Sequence, residues 1–155
     1  MANAQSLKSQ IRKVDGPICK AMMRKDIEGF KKIVKGATTP DFKYSEGGPA
    51  MGFDDMIQGM KQGFAMYSKI TKAETKLVSV KEKGTEGSSV EKHTMVGMMM
   101  GPDKKSHKVA FMGTSNSTYK KVNGKWLMAS MNMKTDKMTM DGKPMAAPPM
   151  GGQGK

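Results

Sequence analysis

Residues Thr118–Met133 read TYKKVNGKWLMASMNM. Asn123-Gly124 is a two-residue hairpin signal, because a type I′ turn requires positive φ at both central positions. Strand-like residues flank the turn, and Trp126 follows the glycine by two positions. The hairpin comes late, after a run of helix-like segments. Helices first and antiparallel strands afterwards indicate an α+β fold rather than alternating α/β units.

Reading backwards from the hairpin, Lys72–Lys83 alternates around Leu77, Val78 and Val80, and Val90–Met100 forms a second long strand. A Gly/Ser turn over 83–89 joins them. Gly101-Pro102-Asp103 makes the next turn, and His107–Val122 with Lys125–Thr135 completes a meander. Upstream, Leu7, Ile11, Val14, Ile18 and Met22 recur at steps of three and four and predict a helix over Gln5–Met23. Gly16-Pro17 predicts a bend or restart inside it. Asp26 is the expected N-cap of a second helix, with Ile27, Phe30, Ile33 and Val34 inside and Gly36 at its end. After a break at Thr38–Pro40, Phe42–Glu46 reads as a short strand. Gly52–Met66 reads as a third helix, with Phe53, Ile57, Met60 and Phe64 on one stripe. The economical packing is a cone-shaped, curved antiparallel sheet, one short strand and three to four long ones, wrapped around three N-terminal helices. Such a sheet leaves a cavity at its open end. One domain is expected over residues 5–140, with a polar tail at 1–4 and a disordered Pro/Gly/Met-rich tail at 145–155.

Composition narrows the function classes. The 155 residues carry a net charge of +13, but Arg12 and Arg24 are the only arginines. Guanine and phosphate readers rely on arginine forks and stacked aromatics, so scattered lysines read as solvated faces, not a nucleic-acid site. No apolar run is long enough to span a membrane. Cys19 is the only cysteine, which excludes an internal disulfide and a thiolate metal cluster. Ala2-Asn3-Ala4 has the small-x-small form of a signal-peptidase site and leads to the expectation of a secreted or periplasmic protein.

Nineteen methionines stand against three leucines. Methionine fills irregular cores much as leucine does. Thioethers also favour Cu(I), and Met131-x-Met133, Met138-x-Met140 and Met98-Met99-Met100 near His93 are spaced for it. Both readings stay open.

The order of four motifs resembles the nuclear transport factor 2-like superfamily, in its SnoaL-like and ketosteroid isomerase-like branch. These are Lys25-Asp26-x-x-Gly29-Phe30, Asp41-Phe42-x-Tyr44, Gly52-Phe53-Asp54 and Val122-Asn123-Gly124-Lys125-Trp126. The resemblance implies a cone-shaped sheet with a deep pocket, commonly as a homodimer; no cofactor and no metal are expected. It places Glu46 near the position of the isomerase-type general base and His93 among pocket histidines, as candidate catalytic residues. Where the isomerase has a first-helix phenol, this chain has Ile18. The expected ligand is a small apolar or anionic molecule, with Tyr44, Met22, Phe64, Tyr67, Tyr119, Trp126 and Met131 as ligand-binding walls.

The residues themselves support Glu46 on one count: Phe42, Tyr44 and Glu46 share a strand face. A carboxylate in an apolar pocket moves protons readily. His93 shares a face with Glu91 and Met95, whereas His107 follows a Lys-Lys turn and is expected to be exposed. On the strand 107–122, Thr114, Asn116 and Thr118 form one polar face and Ser115, Ser117 and Tyr119 the other; either could line the pocket.

Overall fold

The computed structural model describes residues 6–145. The expected tails at 1–4 and from 146 onward lie outside the described residues. Met145 lies within them, packs on the core and donates its N–H to the Met138 carbonyl at 2.9 Å.

Helix α1 spans Leu7–Met23, capped by the Ser6 hydroxyl, which accepts from Ser9 N–H at 3.1 Å. It runs through Pro17 without a break. Gly16 and Pro17 face solvent, so the carbonyl that loses its intrahelical partner can bond water instead. Helix α2, Ile27–Ala37, starts at Asp26, whose Oδ1 accepts from Gly29 N–H at 2.9 Å. It leads directly into β1, Thr38–Ser45. The expected break at Thr38–Pro40 is therefore strand. Thr38 pairs with Met128 and the next register pair is Lys43 with Ser130, so Pro40 lies in an irregular stretch of an edge strand where no ladder N–H is needed. Helix α3 covers Phe53–Met66.

The four long strands are β2 (Tyr67–Lys83), β3 (Glu86–Met100), β4 (Ser106–Val122) and β5 (Lys125–Met140), with a two-residue β6 at Lys143–Pro144. All are longer than or equal to the alternation that announced them. Their order in the sheet is β1-β5-β4-β3-β2, with β6 on β5. The long strands pair antiparallel, but β1 joins β5 in parallel, so the sheet is mixed. Asn123 (φ 50°) and Gly124 (φ 80°) close the β4–β5 hairpin as their dipeptide foretold.

Bulges bend the sheet and choose its inner face. In the β2–β3 pairing, Ser68, Thr71 and Val78 are extra residues on β2. In the β4–β5 pairing, Ala129 and Asp136 are extra on β5. Each extra residue reverses the in/out alternation and increases local twist. On β5 the inward side chains are thus Trp126 and Met128, then Met131, Met133 and Thr135, then Met138. Without the two bulges a continuous alternation could not place all six on one side.

Two glycines permit close approach on that side. A Cβ at Gly97 would lie 2.6 Å from the Tyr67 ring and from the Lys69 carbonyl oxygen. A Cβ at Gly87 would lie 2.5 Å from the Leu7 side chain, close to Trp126. Leu7, Ile11, Tyr119 and Trp126 form a small cluster at the hairpin end, and a larger core holds α2, α3 and the remaining inner face.

Candidate ligand cavity and its buried carboxyl pair

The concave side of the sheet is not filled by the helices. A cavity of about 470 Å³ remains between them, in the range typical of small-molecule sites. It has three walls. From α1 come Ile11, Asp15, Ile18, Cys19 and Met22. From α2, β1 and α3 come Phe30, Phe42, Tyr44, Met60 and Phe64. From the sheet come Tyr67, Met95, Tyr119, Trp126 and Met131. All seven residues expected as ligand-binding walls therefore line one cavity, and Glu46 and His93 touch it too.

Glu46 is placed at the rim. It is exposed, and its Oε2 accepts from the Tyr44 hydroxyl at 2.9 Å. The apolar burial that the general-base reading required of it is missing, because β1 ends at Ser45 and the Glu46-Gly47-Gly48 loop turns out to solvent. Burial and the Glu46 carboxylate both push the Tyr44 phenol upward, so it stays protonated.

The buried carboxyl is Glu91, only 1% exposed on β3. Its Oε2 finds no hydrogen-bond donor among the described residues. The carboxyl of Asp15, half-buried on α1, faces it. Burial, with the Asp15 carboxyl adding to it, pushes Glu91 up to about 9. Burial also raises Asp15. Two carboxyls brought together out of water cannot both ionise; they hold one proton between them. That proton rests on Glu91, whose O–H donates to the facing Asp15 carboxylate and so gives the buried carboxyl its partner.

His93 sits one step along the same strand face. Its Nδ1 lies 3.0 Å from Thr75 Oγ1 and its Nε2 2.7 Å from Ser115 Oγ. The Cys19 thiol donates to Thr75 Oγ1 at 3.7 Å. With Thr75 accepting from Cys19, its hydroxyl donates to Nδ1 and the ring donates from Nε2–H to Ser115. Burial lowers His93 to about 4, so the ring is neutral at physiological pH. Both nitrogens are occupied, and the ring offers the cavity its carbon edge rather than a free lone pair.

On β4 the odd-numbered face is the inner one: Ser115, Ser117 and Tyr119 are buried, while Asn116 and Thr118 are exposed. The Tyr119 hydroxyl shares a hydrogen bond with Ser89 Oγ at 3.1 Å, and burial raises its phenol. Trp126, 1% exposed, lines the cavity with an Nε1–H that has no partner among the described residues.

The methionine motifs divide. Met131, Met133 and Met138 join the cavity wall, as does Met99, while Met100 is 62% exposed because neighbours on a strand face opposite ways. The Met98-Met99-Met100 triple therefore does not converge. His107 is tied to the turns on either side, its Nε2 2.9 Å from Asp103 Oδ1 and its Nδ1 2.5 Å from Asp141 Oδ2, and the two carboxylates raise it.

Asp15 was not among the residues singled out in the sequence, and Glu91 was named there only as a neighbour of His93 on its strand face. The signals were present: Asp15 lies on the stripe between Ile11 and Ile18, and Glu91 alternates with His93. A charged residue on an apolar stripe reads as an interruption until its partner across the cavity is known.

The fold places the chain in a recognisable class. No family model and no curated protein matches the sequence. Among solved structures, a type 2 hexachlorocyclohexane dehydrochlorinase, LinA, superposes with a TM-score of 0.67 at 12% identity, over 92% of this chain and 93% of that one. A scytalone dehydratase-like protein of Novosphingobium aromaticivorans gives 0.68 at 14% identity, over 96% and 95%. A dehydratase-like protein of the nuclear transport factor 2-like family from Streptomyces avermitilis gives 0.59 at 13%, over 90% and 97%. The protein thus has the cone fold of the nuclear transport factor 2-like superfamily, as its motif order implied.

Proposed function

We propose that this protein binds a small, mainly apolar molecule inside the cone, with the Asp15–Glu91 pair recognising the ligand's polar end. The observation that carries the reading is the cavity itself: about 470 Å³ walled by aromatic rings and thioethers, with one proton-sharing carboxyl pair set into it. Apolar walls with few, converging polar groups are the general form of a small-molecule site. Thioether side chains bend to fit, so the walls suit a ligand of irregular shape. The fold neighbours include proteins named for elimination chemistry, which is compatible with a small organic ligand but assigns none.

Trp126 is the only tryptophan and lines the cavity, so it reports occupancy directly. Titration with the neutral dye N-phenyl-1-naphthylamine should give saturable energy transfer from Trp126 near one equivalent. Ala73→Phe, which extends a wall residue into the space, should weaken the dye at least tenfold. Equal affinity in the two proteins would place the dye elsewhere and sink the reading.

A second reading is favoured by the burial of Glu91 beside Asp15, which pushes its carboxyl up to about 9 and so keeps it protonated at neutral pH. A protonated carboxyl in a dry pocket can act as general acid, with Asp15 receiving a proton in turn. In an enzyme of the isomerase or dehydratase kind this pair, rather than Glu46, would carry the proton. Incubation of a bound carbonyl compound in deuterium oxide should then label its α-carbon, and Glu91→Gln should stop the labelling. No exchange above the solvent rate leaves binding alone.

A further inference from the structure

The chain carries 27 basic residues against 14 acidic ones. Among the described residues, none of those that line the cavity is lysine or arginine. Four are carboxylic acids: Asp15 and Glu91 within, Glu46 and Glu74 toward the openings. Glu74 is paired outside with Lys72 at 3.0 Å, and Glu46 is held by the Tyr44 hydroxyl. The protein's positive charge has been kept on the outside, and the inner surface is acidic.

From this segregation we infer that the ligand is a hydrophobic amine, bound as its ammonium ion against Asp15. The inference rests on the binding function proposed above and narrows its ligand class. It departs from the anionic alternative of the expected apolar or anionic ligand, since among the described residues an anion would meet no lining cation and two inward carboxyls.

The surrounding groups agree element by element. On α1, Lys8, Arg12, Lys13 and Lys20 are exposed, leaving Asp15 and the Cys19 thiol on the cavity side. From β1, β2 and β4 the facing titratable groups are the Tyr44, Tyr67 and Tyr119 phenols, all uncharged at neutral pH, and Glu74 of β2, which lies toward an opening and is paired with Lys72. From β3 come Glu91, which holds the shared proton, and the neutral His93. The Lys25 ammonium bonds to the Tyr67 carbonyl oxygen, and that of Lys121 lies over the Trp126 ring at 5.6 Å, yet neither residue lines the cavity. The pair is left with one negative charge, shared proton included, and no internal counter-ion among the described residues. An ammonium ion restores neutrality there, where a low dielectric makes charge pairing strong.

Independent features of the wall point the same way. Aromatic faces attract cations, and Tyr44, Tyr67, Tyr119 and Trp126 surround the space. Methionine sulfur is likewise a weak acceptor and no donor. The Trp126 Nε1–H, buried and unpartnered, is a vacant donor that a ligand oxygen would fill, so an amine bearing one hydroxyl or carbonyl group suits the site best.

Three probes of one shape separate the possibilities: 1-naphthylmethylamine, 1-naphthalenemethanol and 1-naphthoate, each displacing N-phenyl-1-naphthylamine from the whole protein at pH 7. The amine should bind at least fivefold more tightly than the alcohol, with the carboxylate weakest. In Asp15→Asn the lone Glu91 keeps its proton and is neutral, so the amine should lose its advantage while the alcohol still displaces the dye. In Glu91→Gln, Asp15 keeps its charge and the amine preference should persist. If the alcohol matches the amine, or the carboxylate binds best, the cation inference fails and the cavity reading stands. If the dye never binds, both fail together.

Discussion

Replacing Glu91 by glutamine should stabilise the protein, and increasingly so as pH rises. The side chain is 1% exposed, and its pKa stands at about 9 against an ordinary 4.5. Between those values the folded protein holds a proton that the unfolded chain has released. The folded state then binds more protons, so stability is full below pH 4.5 and falls as pH rises toward 9. At pH 7 the interval above 4.5 is 2.5 pH units, and at about 1.4 kcal/mol per unit the penalty is on the order of 3 kcal/mol. At pH 5 the same reasoning leaves under about 1 kcal/mol. Glutamine has nearly the same shape, never ionises, and can donate an N–H to Asp15. Urea unfolding followed by Trp126 fluorescence should therefore show the two proteins nearly equal at pH 5 and Glu91→Gln ahead by roughly 3 kcal/mol at pH 7, about 6–12 °C in Tm for a chain of this size. A stability gap that stays constant from pH 5 to pH 8 would refute the account, because it would show that Glu91 does not hold its proton through folding.

The two histidines should titrate oppositely in an NMR pH series. His93 should show no imidazole titration between pH 5 and 8, while His107, held by Asp103 and Asp141, should titrate above 6.5. Because His107 is raised in the folded state, the stability it contributes is present below 6.5 and disappears as pH rises through its folded value; in His107→Gln that part of the pH dependence should vanish from thermal melts. Gly97→Ala should lower stability by about 1–3 kcal/mol in urea, because the new methyl meets the Lys69 carbonyl, which is backbone, as well as the Tyr67 ring; an unchanged midpoint would mean the sheet relaxes there freely. Asp26→Ala should cost about 1 kcal/mol through loss of the α2 cap, while Asp26→Asn should keep most of it.

Local chemistry was legible wherever a residue type has one structural use. Asn123-Gly124 specified its turn, Asp26 its cap, and the three-four spacing of Leu7 to Met22 a helix with one apolar side. Glu46 shows where such reading stops. Period two put it on the face of Phe42 and Tyr44, but the strand ends one residue earlier and the side chain leaves the sheet. The long strands ran past their apparent limits at Tyr67, Glu86 and Met140 because polar outward-facing residues such as Lys69 and Lys137 are as much part of a strand as its buried ones.

Sequence by itself determined the elements, their order and hence the α+β cone, because caps, turn dipeptides and hydrophobic periods act over a few residues. Tertiary structure alone decided which side of each strand is inside. Bulges at Ala129 and Asp136 reset the alternation on β5, the curve of the sheet turned Ser115 and Ser117 inward, and the packing of α1 across β3 brought Asp15 to Glu91. A carboxyl pair sharing one proton exists only when two residues seventy-six positions apart lose water together, and no local pattern in the chain encodes that meeting.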